Sequence, residues 1–199
     1  MKKGRYYNNQ LKGIDDESVI DSILGGQTEQ FSILVDRYAD EVMHTVGRII
    51  HSPEDAEEVV QDTFVAVFQA LASFDSGKAS FKTWLMRIAY YTSLKRLRGI
   101  STTAHAEADT VSIDTITDTD ADMVLNDTSP RRLSLLAEAI RMLPAKDQML
   151  LSLYYHDDRP IKEIAFIIGC TDSYLRSRLQ WLRKKLCQTI KKLEQNGNE

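Results

Sequence analysis

Between Ile161 and Leu186 the chain reads IKEIAFIIGCTDSYLRSRLQWLRKKL, a run that places three arginines and several small hydroxyls on one short helix. A guanidinium fork can hydrogen-bond a guanine edge or clamp a phosphate, and short hydroxyls suit either contact. Ser173, Tyr174, Arg176, Ser177 and Arg178 crowd the amino-terminal turns of that helix, with Arg183 further along. These are the positions that enter a major groove when such a helix docks on DNA.

Those side chains need a scaffold, and the same run supplies one. Ala165 is small where two helices would cross, Gly169 can take the left-handed conformation that ends the first helix, and Thr171 can cap the second. Leu175, Leu179, Leu182 and Leu186 then form a packing face. The pattern is that of a helix-turn-helix, and Lys184, Lys185, Lys191 and Lys192 make the end of the domain strongly basic. A helical hairpin with a merely solvated basic face is the competing reading, and it leaves the turn chemistry unexplained.

A second group of side chains lies far upstream. Glu54, Asp55, Glu57, Glu58, Gln61 and Asp62 occupy the outer side of a helix whose inner stripe is Ala56, Val59, Val60, Thr63, Phe64, Val67, Phe68 and Leu71. Ser52 as N-cap and Pro53 at the first helical position mark its start. An acidic face of this kind suits basic partner side chains, or is simply solvated.

The next helix, expected from Ser80 to about Arg98, has the opposite sign: Lys78, Lys82, Arg87, Lys95, Arg96 and Arg98 occur with no acid between them, which favours phosphate. Projected on a helix, Phe81, Trp84, Leu85 and Ile88 share a buried side, whereas Thr83, Arg87, Tyr90, Tyr91 and Leu94 lie on another that mixes rings with cations. Rings and cations together can hold a single-stranded base, although the two tyrosines fit a core equally well.

Beyond these segments the periodicity stays helical, with stripes through Ile20, Ile23 and Leu24, through Phe31 to Ile49, and again from Leu133 to Tyr154. No run alternates with a two-residue period between hairpin turns, so a sheet is not expected. From Gly99 to Pro130 there is no Lys, and no Arg follows until Arg131, while Glu107, Asp109, Asp114, Asp118, Asp120, Asp122 and Asp127 carry one sign of charge. Such a stretch cannot bury enough apolar surface to offset its ordering entropy and reads as a flexible acidic linker. The expected architecture is all-α: a helical domain over 15–98, the linker over 99–130, and a helical domain with the helix-turn-helix over 131–192.

The 199 residues are 43% hydrophobic and carry a formal charge of −4, so DNA contact has to come from local basic surfaces. Cys170 and Cys187 form no CxxC pair and have no histidine at zinc spacing, which disfavours a disulfide scaffold and a metal site. Residues 1–10 lack an apolar core, and no run approaches the roughly 20 apolar residues that cross a bilayer. A cytoplasmic protein is expected. His44, His51, His105 and His156 are scattered, no nucleophile motif or phosphate loop occurs, and no cofactor is implied, so an enzyme is disfavoured.

The run Pro53 to Phe64 closely resembles the region 2 core-binding signature of the extracytoplasmic-function (ECF) sigma factors, and Phe81 to Ala89 resembles their promoter-melting segment. Leu143-Pro144 and the helix-turn-helix resemble their region 4. The resemblance implies a sigma factor that binds the beta and beta-prime subunits of a bacterial RNA polymerase core through Asp55, Glu58, Gln61, Asp62 and Phe64. It also implies minus-ten DNA contacts by Lys82, Trp84, Arg87, Tyr90, Tyr91, Lys95 and Arg98, and minus-35 contacts by Ser173, Tyr174, Arg176, Ser177, Arg178 and Arg183. An Arg-Asn pair commonly stands in the family where this chain has Tyr90-Tyr91, and an acid where it has Lys95. Promoter DNA and an anti-sigma factor are the further partners implied, with no small-molecule substrate. A helix-turn-helix regulator that never becomes a polymerase subunit is the alternative; it would need a pocket or a dimerisation coiled coil, which the helices before Gly99 do not offer.

Overall fold

The computed structural model describes residues 13–100, 125 and 129–196. Among them it has eight α-helices and no strand, grouped in two compact units, one built on the chain up to Ile100 and the other on the helices from Pro130 onward.

The first unit holds α1 (Asp16–Leu24), α2 (Phe31–Gly47), α3 (Pro53–Ala70) and α4 (Phe81–Ile100). The starts of α1, α3 and α4 are chemically marked. Asp15 accepts the Ser18 N–H at 2.9 Å, the Ser52 hydroxyl accepts the Asp55 N–H at 3.2 Å with Pro53 at the first helical position, and the Ser80 hydroxyl accepts the Thr83 N–H at 3.2 Å. Val19 of α1, Leu34, Val42 and Val46 of α2, Val59 and Val67 of α3, and Leu85, Met86 and Ala89 of α4 are all at or within 1% of full burial. Side chains of this size contribute about 1.5–3 kcal/mol each when removed from water, so this apolar centre is what holds the four helices.

Hydroxyls on the buried stripes are satisfied at home. Thr63 donates to the Val59 carbonyl at 2.7 Å and Ser93 to the Ala89 carbonyl at 2.8 Å, so neither costs the core an unpaired donor. Asp16 ties α1 to α2 by accepting from Arg37 and, at 2.5 Å, from the Tyr38 hydroxyl. Burial, reinforced by the Asp16 hydrogen bond and charge, pushes the Tyr38 phenol well above its ordinary range.

Helix α4 continues to Ile100, past the Arg98 boundary expected from sequence. The acidic stretch assigned to a linker lies, over 101–124 and 126–128, outside the described residues.

The second unit holds α5 (Pro130–Arg141), α6 (Ala145–Leu151), α7 (Ile161–Ile168) and α8 (Asp172–Asn196). Helix α5 begins at Pro130, one residue earlier than the pattern suggested, because the Ser129 hydroxyl caps it by accepting the Arg132 N–H. After α6 the backbone widens into one π-helical turn over Ser152–His156, and Asp158 takes a left-handed φ of 48° before the chain enters α7. Helix α7 ends at Gly169 with φ 79°, its N–H reaching the Ala165 carbonyl at 2.8 Å. The Thr171 hydroxyl then accepts the Tyr174 N–H at 3.2 Å and starts α8. A side chain at Gly169 would meet the left-handed penalty that glycine escapes, so the sharp turn between α7 and α8 depends on it. Leu175, Leu182, Cys187 and Ile190 of α8 are fully buried, and neither cysteine is in a disulfide.

Candidate nucleic-acid and partner interfaces

Helix α3 is amphipathic in two halves. Its inner stripe, Ala56, Val59, Val60, Thr63, Phe64 and Val67, is buried. Along the outer side Glu54, Glu57, Glu58, Gln61 and Asp62 are exposed, and one turn further on the exposed residues become apolar: Val65 is 55% and Phe68 43% exposed. Phe68 meets the Phe31 ring edge-on at 5.0 Å, and with Val35, Val65 and Asp36 the two rings border an open groove of about 660 Å³ between α2 and α3. Acid followed by apolar surface on one helix is a docking stripe for a partner that carries cations beside aliphatic or aromatic side chains.

Phe64, expected at the polymerase surface, is mostly buried and shows only its edge in the wall of this groove. It is 7% exposed and sits edge-to-face with Phe31 at 6.4 Å, because its position falls on the same side of α3 as Val60 and Val67. The exposed aromatic is Phe68, one turn later. Sequence reading missed Val65 and Phe68 as contact candidates since Phe68 is also compatible with the buried stripe; only the groove shows that α2 stops short of covering it.

Asp55 and Glu58 are both held by Arg96 of α4, at 2.5 and 2.8 Å. The Arg96 hydrogen bond keeps the Asp55 carboxyl below its ordinary value. The stabilising pair is therefore present above the usual carboxylate range and fades as pH falls through the depressed titration point. In Arg96→Gln, the carboxyl ¹³C titration of Asp55 is expected to move up toward the ordinary Asp value; an unmoved midpoint would place the cause elsewhere.

The basic helix is less free than its sequence suggests. Lys78 pairs with Asp75 at 2.8 Å, Lys82 with Glu41 at 3.0 Å, and Arg96 with the α3 acids, so the acids missing from this segment arrive from other parts of the same unit. Lys82, expected to face phosphate, is exposed and also reaches a carboxylate of its own unit. Lys95 and Arg98 are exposed and have no ion pair among the described residues.

The face drawn on α4 from sequence also needs correction. Tyr90, Thr83 and Leu94 are buried, at 2%, 3% and 7% exposure, whereas Trp84 and Ile88 are only half-buried. The helix is covered by both α2 and α3, so it has two buried sides and the stripe of a one-sided helix misplaces them. Tyr90, expected to face DNA, is covered within the first unit. Tyr91 stays 45% exposed, with the Arg87 guanidinium 5.3 Å from its ring centre. Trp84 stacks at tilted angles on Phe74 and Phe81, 5.5 and 5.9 Å away, with part of its ring exposed.

In the second unit Ser173, Tyr174, Arg176 and Ser177 are exposed on the first turns of α8. Arg178, expected among the minus-35 contacts, is held in a bidentate pair by Asp147 of α6, at 2.9 and 2.5 Å, with its guanidinium 4.1 Å above the Trp181 ring. Asp147 is itself 5% exposed, so Arg178 anchors the helix from behind. Arg183 is half-buried and lines, with Arg176, Gln180, Tyr154 and Tyr155, an open cleft of about 360 Å³.

The chain matches the family models described as Sigma-70 region 2, over residues 34–102, and Sigma-70, region 4, over residues 133–186, which together take in well over half of it. It is 25% identical to the RNA polymerase sigma-H factor of Pseudomonas aeruginosa over 186 residues, covering 89% of this chain and 95% of that one. It is 26% identical to the ECF sigma factor SigW of Bacillus subtilis over 180 residues (87% and 96%), and 28% identical to the ECF sigma-E factor of Escherichia coli K12 over 187 residues (90% and 96%).

Among solved structures, CnrH, determined with the cytosolic domain of CnrY, aligns with TM-score 0.59 at 23% identity, covering 88% of this chain and 97% of that one. The sigma factor RpoE of Bartonella quintana, determined with the anti-sigma factor NepR, aligns with TM-score 0.52 at 19% identity (82% and 98%), so the fold is shared. Two family models in the order of the two helical units, with relatives of nearly equal length, leave one assignment: this chain belongs to the extracytoplasmic-function group of sigma-70-type RNA polymerase sigma factors.

Proposed function

We propose that the chain works in the cytoplasm as a non-catalytic specificity subunit of RNA polymerase, with a separate task on each helical unit. The first unit binds the core enzyme through the α3 stripe: Glu57, Glu58, Gln61 and Asp62 meet basic side chains, and Val65 and Phe68 fill the apolar remainder of the contact. Tyr91, Lys95 and Arg98 of α4, with the exposed edge of Trp84, face the minus-ten element. The second unit reads the minus-35 element through Ser173, Tyr174, Arg176 and Ser177.

One observation carries this reading. Within a single chain, an acidic helix ending in exposed aromatic surface is combined with a capped helix-turn-helix that exposes hydroxyls and a guanidinium at its amino-terminal turns. The first suits a basic protein and the second suits DNA. An anti-sigma partner follows from the same surface: an inhibitor that covers the groove beside Phe68 blocks core binding. The RpoE neighbour was determined with such a factor.

The test is reconstituted transcription with the purified chain, bacterial core polymerase and a library of promoters. Tight promoter binding and duplex opening are expected only with the core present. Site-specific binding by the chain alone at the same affinity would instead identify a free-standing regulator.

A further inference from the structure

Between Arg178 and Arg183 the sequence offered no further contact, yet the exposed stripe of α8 includes Gln180. Ser173, Arg176, Ser177 and Gln180 are all exposed. At about 100° per residue they fall within one arc of about 100°, with Gln180 near its middle. Arg178 projects roughly 160° away from Gln180, toward Asp147, which holds it. On the far side Leu175, Leu179, Leu182 and Leu186 are buried.

The spacing is informative. Offsets of zero, three, four and seven residues are those by which helices lying in a major groove reach successive bases. From Ser173 to Gln180 the helix rises about 10 Å, about the length of three base-pair steps along the groove. The stripe also has a natural end, since Cys187, two turns beyond Gln180, is fully buried.

Carboxamide chemistry then specifies the base. A glutamine side chain donates through its amide nitrogen and accepts through its oxygen, so it can pair with adenine N7 and N6 at once, a pattern that no other base presents in the major groove. We propose that Gln180 is a specificity-determining residue of the minus-35 contact and selects an adenine next to the base reached by Arg176. This inference rests on the second unit being the minus-35 reader.

The experiment uses holoenzyme formed from the full chain and bacterial core polymerase on a promoter library with a randomised minus-35 element, read by transcript counting. The unaltered chain is expected to favour adenine at one position. Gln180→Ala should reduce that preference by about 5- to 150-fold at that position alone, and Gln180→Arg should move it toward guanine. An unchanged base profile in both variants overturns the assignment, as does an equal loss on every sequence, which would mark a phosphate contact. Failure of the unaltered chain to distinguish any minus-35 sequence would overturn the reading of the second unit, and the Gln180 assignment with it.

Discussion

Arg178→Ala is expected to lower the stability of the second unit by about 3 kcal/mol, with a smaller loss when its partner is removed instead. The asymmetry follows from burial. Asp147 keeps only 5% of its surface and receives two hydrogen bonds from the guanidinium, so deleting the cation strands a charge in a poorly solvated place. Breaking a buried pair from that side costs about 3–5 kcal/mol, and the partial exposure of Arg178 favours the lower end. Asp147→Ala leaves an arginine that still stacks on Trp181 and still reaches water, for a loss of about 1 kcal/mol. The double variant should be more stable than Arg178→Ala alone, since it strands nothing. Thermal unfolding followed by helical circular dichroism measures all three. If Arg178→Ala melted like the parent chain while losing minus-35 preference, the arginine would be a base reader and the pair incidental.

That example also shows where the sequence stopped being legible. Caps and turns are local chemistry, and Ser52-Pro53, Gly169 and Thr171 act in the structure as their types dictate. The all-helical fold, the start of α3 and the packing leucines of α8 could be read for the same reason: each depends on residues within a turn or two of one another. What a charged or aromatic side chain touches depends on distant chain instead. Arg96 meets Asp55 across 41 positions, and Arg178 meets Asp147 across 31. The sequence left Tyr90 open between core and DNA because a single-stripe projection assumes one covering neighbour, while α4 has two. The acidic segment presents the opposite case: its composition is plain, and most of it lies outside the described residues.

The second large effect separates two phenylalanines one turn apart. Phe64→Ala removes a ring that is 7% exposed and packed against Phe31, and is expected to destabilise the first unit by about 3–5 kcal/mol. Phe68→Ala removes a ring that is 43% exposed, so its folding cost should stay below about 1 kcal/mol, within the range of surface changes. For polymerase binding the order reverses. An exposed aromatic in a groove rimmed by polar groups such as Glu29, Asp36 and Gln69 has the character of an interface hot spot. Its truncation should weaken core binding by about 2 kcal/mol, or about 30-fold in Kd. Equilibrium titration of labelled core polymerase at a temperature where both variants remain folded distinguishes the roles, because Phe64→Ala should then bind nearly as the parent does. Parent-like affinity in Phe68→Ala would remove the groove from the contact and leave the acidic half of α3 to carry it.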